Sequence, residues 1–246
     1  MEPEIPQAEK KQRDWLLPAS ILIAALLVSV SLIYNAGKKP DTAAANQANL
    51  GAASGDAGTI NVPPVTSADH IDGNPNAPVK IIEYSDLECP FCKEFHATLN
   101  AAMTIYGDQV ALVYRHFPLA QLHSKAPAEA QAAECAYKLG GNTAFFKFVN
   151  QVFTVTPSNN GLDPTELPKI AGQIGLDVTQ FEACQASDYG KALIQQEYND
   201  AINAGGQGTP YTIVVNNAGK KYVIDGAQSL TSVEATINQA IKESNS

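Results

Sequence analysis

The chain has 246 residues, 45% of them apolar and 17% charged, which is enough to bury a substantial core. Its 16 Lys and Arg stand against 25 Asp and Glu, a formal charge of −9. That balance excludes nucleic-acid binding driven by charge, because no basic surplus exists to neutralise phosphates.

The first organised segment is uncharged from Trp15 to Tyr34, about the ~20 residues a helix needs to cross a bilayer. An aromatic ring stands at each end, where amphipathic side chains favour the lipid interface. A cleavable signal peptide has a shorter apolar region, typically ~7–15 residues, so residues 15–34 are read as an uncleaved transmembrane anchor. Lys10, Lys11 and Arg13 before it nearly balance Lys38 and Lys39 after it, so charge does not set its orientation. If the cysteines do disulfide chemistry, the domain beyond must face an oxidising space, which leaves residues 1–14 cytoplasmic. Residues 35–70 are rich in Ala, Asn, Gly and Pro and read as a flexible linker. The stretch from Asp69 to Val79 at its end can already lie on the domain as an ordered turn. The folded domain is expected over 71–246.

Val79 to Ser85 is a short apolar run rich in β-formers and predicts a buried strand. After Cys89-Pro90, the positions Phe91, Phe95, Leu99, Ala102, Met103 and Tyr106 recur at a helical period, and Gly107 supplies a stop. Val110 to Phe117 predicts a second strand, and strand–helix–strand gives a βαβ unit with a parallel pair. Far downstream, Tyr-Thr-Ile-Val-Val-Asn and Lys-Tyr-Val-Ile flank the turn-rich Asn-Ala-Gly-Lys, a hairpin pattern. A last helix is predicted behind Thr231, with Glu234 completing a capping box. Between these halves, about 118–208 carries helical apolar spacing broken by Gly and Asn. The expected fold class is α/β, a βαβ half and a ββα half separated by a helical insertion.

Cys89-Pro90-Phe91-Cys92 is the motif that carries chemistry. A thiol attacks as its thiolate, and unpaired amides at a helix N-terminus favour an anion there. Cys89 occupies that position and is expected to be the more exposed, attacking thiol, with Cys92 one turn in as the resolving thiol. A zinc site would need four ligands in paired spacing. Cys135 and Cys184 are single, and His70, His96, His116 and His123 show no paired spacing. A purely structural bridge across so short a loop would stabilise little. C-x-x-C between a buried strand and a helix, in a βαβ unit, is the pattern of a thioredoxin-like redox site. Asp86 and Glu88 are expected as solvated loop charges, and His96 as a packed or surface helix residue.

The segments GNPNAPVKIIEYSDLECPFCKEFH, AECAYKLGGNTAFFKF, GLDVTQFEAC and GQGTPYTIVVN resemble, in order, the DsbA family of thioredoxin-fold thiol–disulfide oxidoreductases, most closely its membrane-anchored BdbD-like branch. The resemblance implies Cys89 and Cys92 as the redox pair and a cis bond before Pro210, with Thr209 offering its backbone to an extended peptide. It implies Glu83 as a buried acid that relays the proton of Cys92, and Pro90 and Phe91 as the dipeptide that tunes the couple. The most oxidising members carry His where this chain has Phe91, which implies a milder oxidant. Some relatives bridge the region of Cys135 and Cys184, and an oxidising space favours that pairing over two free thiols. No cofactor and no metal are implied. The implied substrates are reduced exported proteins, and the implied partner is a membrane reoxidase of the DsbB or vitamin-K-epoxide-reductase type, acting on a monomer. An isomerase or reductase on the same fold, or a non-catalytic peptide-binding chaperone, are the alternative readings.

Overall fold

The computed structural model describes residues 60–244. The expected anchor over 15–34 and the cytoplasmic segment lie outside these residues, as does most of the expected linker. Among the described residues no helix is long and apolar enough to cross a membrane.

Five strands form one sheet: β1 (His70–Gly73), β2 (Val79–Ser85), β3 (Val110–His116), β4 (Tyr211–Asn216) and β5 (Lys221–Asp225), in the order β1-β3-β2-β4-β5. β2 and β3 run parallel, and the other three pairings are antiparallel. The helices are α1 (Pro90–Tyr106), α2 (Ala126–Val155), α3 (Glu166–Gln173), α4 (Val178–Gln185), α5 (Lys191–Asn203) and α6 (Leu230–Ser244). The βαβ half, the ββα half and the helices inserted between them are therefore in place.

β2 is central, and both of its faces are covered, which is why it reads as a continuous apolar run rather than an alternation. Side chains still alternate across the sheet. Val79 and Ile81 enter the larger core with Cys92, Phe95, Leu99 and Tyr114. Ile82 and Tyr84 enter a second core with Val113, Phe117, Ala201 and Ile213. By that period Glu83 falls on the face of Val79 and Ile81, the same side of the sheet as Cys92.

Three expectations change. Residues 69–79 do lie on the domain, but only their middle is a turn, where the Ala77 amide donates to the Asn74 carbonyl at 2.9 Å; before it β1 is a strand, pairing His70 with Tyr114 and Gly73 with Ala111, and four residues are too few for periodicity to declare it. The domain also begins before residue 71. Val62 is buried, Arg115 donates to the carbonyls of Pro63 and Pro64 and pairs with Asp69 at 2.8 Å, and Lys221 donates to the Ile60 carbonyl. Residues 60–69 are thus pinned by backbone carbonyls, which leave no mark in composition. The last helix is capped by Ser229, whose hydroxyl accepts from the Ser232 amide at 3.3 Å, rather than by Thr231.

Within the insertion, α2 is two helical stretches joined at Gly141, which has non-helical angles (φ 65°, ψ −164°) and so takes a conformation that side chains resist. Cys135 in α2 and Cys184 in α4 are joined by a disulfide, with their Cα atoms 5.8 Å apart.

Candidate active site

β2 ends at Ser85, and three residues of turn deliver Cys89 to the N-cap of α1 in an extended conformation (φ −77°, ψ 123°). Pro90 takes the first helical position, where a missing N–H costs nothing. The turn is held by Asp86. One of its carboxylate oxygens accepts from the Glu88 amide at 2.8 Å; the other accepts from the Leu119 amide at 2.8 Å and pairs with His123 Nδ1 at 2.9 Å. The Cys89 amide donates to the Asp86 carbonyl at 3.1 Å.

Asp86 and Glu88 are therefore not solvated loop charges: they are 1% and 0% exposed. Glu88 accepts from the amides of Asn160, Gly161 and Leu162 at 2.5, 3.2 and 3.4 Å, and its carbonyl accepts from Asn159 at 2.8 Å. Ser158, Asn159 and Asn160 all have positive φ, which turns these amides inward. The turn before Cys89 is clamped from both sides by residues some thirty to seventy-five positions downstream.

The peptide bond Thr209–Pro210 is cis and lies against the dithiol, with the Thr209 carbonyl 3.5 Å from Cys89 Sγ. Cys89 and Cys92 are both free thiols. Cys89 is only 4% exposed, so it is less open than expected, while Cys92 is fully enclosed. Phe91 does not follow the apolar face assigned to it. It is 61% exposed at the rim of the site, while Phe95, Leu99 and Ala102 are buried behind it. The first residue after a helix-capping proline still belongs to the active-site surface, which periodicity alone does not register.

The two thiols are driven apart electrostatically. Cys89 is lowered to about 6, chiefly by a hydrogen bond from the Cys92 thiol. Burial opposes this, and the Thr209 side chain and the amides of Cys92 and Phe91 add to it. Cys92 is raised well above the usual thiol range, first by burial and then by its bond to Cys89 and the charges of Cys89 and Glu83. Glu83 is fully buried and raised to about 7, mainly by desolvation, against a lowering hydrogen bond from the Ser85 hydroxyl at 2.9 Å. Its second oxygen, Oε2, has no partner, nor does the hydroxyl of Tyr114, which pairs in register with Glu83 across β2 and β3.

His96 lies away from this chemistry, buried on α1, paired with Asn150 and tilted against the ring of Phe153. His70 and His116, which show no paired spacing in sequence, are brought together by Glu134. One carboxylate oxygen takes both imidazoles at 2.5 and 3.0 Å, which are hydrogen-bond separations. Burial alone would raise Glu134, yet these two partners hold it at about 2.

Asp86, Glu88, Ser85 and Tyr114 join the site without having been singled out from sequence as participants, as does Glu129 of α2. Glu129 and Glu134 did leave one trace: each interrupts an alanine-rich helical run that also carries Cys135.

The sequence profile described as thioredoxin matches residues 66–239. The chain belongs to the thioredoxin family. Its solved neighbours include DsbA proteins. DsbA2 of Pseudomonas aeruginosa is 28% identical with a TM-score of 0.60, covering 72% of this chain and 96% of that one. The alpha-DsbA1 of Wolbachia pipientis is 25% identical with a TM-score of 0.63, covering 75% and 95%. BdbD of Bacillus subtilis shares the fold at 18% identity and a TM-score of 0.63, covering 75% and 98%. Among curated proteins, the Na(+)/H(+) antiporter NhaA 1 of Mycobacterium sp. (strain KMS) is 32% identical over 169 residues, 68% of this chain but 26% of the antiporter. The chain thus spans about a quarter of the length of such relatives, and the transport in their name is said of them alone.

Proposed function

We propose that this chain is a membrane-tethered thiol oxidase, facing the periplasm or exterior, that introduces disulfides into exported proteins through Cys89 and Cys92. In the oxidised form a substrate thiolate attacks Cys89 Sγ. The Cys89–Cys92 bond breaks, a mixed disulfide forms at Cys89, and Cys92 leaves as a thiolate that takes a proton. Glu83, near 7 and on the Cys92 face of the sheet, is the acid placed to supply it. A second substrate thiolate then attacks the substrate sulfur of the mixed disulfide. The substrate leaves oxidised, Cys89 leaves as a thiolate, and two electrons stay on the dithiol. A membrane reoxidase of the DsbB or vitamin-K-epoxide-reductase type removes them. Thr209 gives its main chain to an extended substrate segment beside the sulfur.

The observation that carries this reading is the asymmetry of the pair: Cys89 stands at the N-cap of α1 against the Thr209 carbonyl while Cys92 is fully buried behind it, which lowers Cys89 to about 6 and raises Cys92 well above the thiol range. A thiolate stable at neutral pH leaves readily and favours the reduced form, which makes the disulfide form an oxidant. The test is Cys92→Ala in the full chain, which should accumulate mixed disulfides with exported proteins. Recovery of none, with the wild-type pair found mostly reduced in cells, would point instead to a reductase.

A further inference from the structure

Glu129, in the first turns of α2, is 2% exposed and is not used in the steps above. Its Oε2 is buried with no hydrogen-bond donor on it, and the carboxyl interacts with the side chain of Glu88, the residue directly before Cys89. Glu88 in turn holds the amides of 160–162, so all of its ligands except Glu129 come from one loop. Two carboxyl groups in contact in a buried setting cannot both be charged, and one must keep a proton to bond the other.

We propose that Glu129 is a positioning residue of the dithiol site, whose carboxyl donates its O–H to Glu88 and so fixes the turn that presents Cys89. This rests on Cys89 being the attacking thiol. The groups facing Glu129 are Glu88 and Asp86 from the turn and Lys125 from its own helix start, with His123 engaged by Asp86. Burial first, then Glu88 and Asp86, raise Glu129 to about 9, against a lowering contribution from Lys125. The donor is therefore present at neutral pH and lost only under alkaline conditions. The clamp joins α2, the 158–162 loop and the Cys89 turn through one proton.

The test uses the full chain with E129Q, which can still donate to Glu88, and E129A, which cannot. In the wild type, an infrared band of a protonated carboxylic acid should persist at about pH 8, above the Glu83 titration, and vanish in E129Q. The ultraviolet absorbance of the Cys89 thiolate should titrate about one pH unit higher in E129A, with E129Q restoring the wild-type midpoint. Linkage adds a third reading. A carboxyl raised in the fold makes the wild type lose stability as pH climbs from the ordinary carboxylate range toward 9, so the E129Q melting temperature should pull ahead of the wild type over that window. The infrared and melting measurements read Glu129 whether or not Cys89 is the attacking sulfur. Absence of the band at pH 8, or an equal shift of the thiolate midpoint in E129Q and E129A, would overturn the proposal. If E129A does not fold, the band and the E129Q melting series decide it alone.

Discussion

Lowering the pH through the Cys89 titration should remove an advantage that the dithiol form holds over the disulfide form. The folded Cys89 sits at about 6 against an ordinary value of 9.0. A lowered folded pKa adds stability that is complete above the unfolded value and is lost as pH falls through the folded one. Between about pH 5 and about pH 7 a shift of this size changes that contribution by roughly 1.4 kcal/mol. Screening by solvent at the exposed rim beside it, where Phe91 is 61% exposed, trims it to about 1 kcal/mol. The disulfide form has no thiol to titrate, so the difference between the two forms isolates this quantity. Cys92 titrates far above the window and is silent in it. Glu83, raised to about 7, acts in the opposite sense as pH rises, but it is present in both forms and largely cancels. For a chain of this size ~1 kcal/mol moves a melting temperature by about 2–4 °C. Thermal unfolding of both forms at the two pH values should show the melting temperature of the dithiol form rising by that amount relative to the disulfide form. A difference that stays flat, or that moves the other way, would refute the assignment of a stabilised thiolate to Cys89, and Cys89→Ser should abolish the effect.

Phe91→His places a donor beside the Cys89 sulfur at a position 61% exposed. A charge-assisted contact of ~1–2 kcal/mol there should raise the reduction potential by about 20–40 mV in glutathione equilibration, and an unchanged or lower value would contradict it. Replacing both Cys135 and Cys184 by Ala opens a loop closed across 49 residues. The chain-entropy relation then predicts a loss of about 4 kcal/mol, or about 8–16 °C in melting temperature; a drop of a degree or two would show that the bridge constrains little. Glu83→Gln should erase the inflection near 7 from the pH dependence of thiol–disulfide exchange and slow the step that releases Cys92. Retention of the inflection would assign it to another group.

The Cys89–Cys92 pair and its placement at the head of a helix were legible because each has a local cause. An apolar strand, a proline at the first helical turn and a 3.6-residue period need only neighbouring residues to be recognised. The cis bond at Thr209-Pro210 came from resemblance, and the Cys135–Cys184 pairing from the oxidising space together with resemblance, since no local pattern links residue 89 to 209 or 135 to 184. The acids behaved differently. Asp86 and Glu88 look like ordinary loop charges because their partners are Leu119, His123 and the amides of 160–162. Phe91 looked like core because it keeps the helical period, yet the site needs an exposed rim.

The sequence by itself determined the chemistry available: two cysteines two residues apart, between a buried strand and a helix, in a chain of the thioredoxin family. Only the tertiary structure decided the electrostatics around them. Burial, the meeting of Glu83 with Cys92, and the enclosure of Glu88 by a loop seventy residues away are properties of packed neighbours. A carboxyl's charge depends on what surrounds it in space, and that is written in no single stretch of chain.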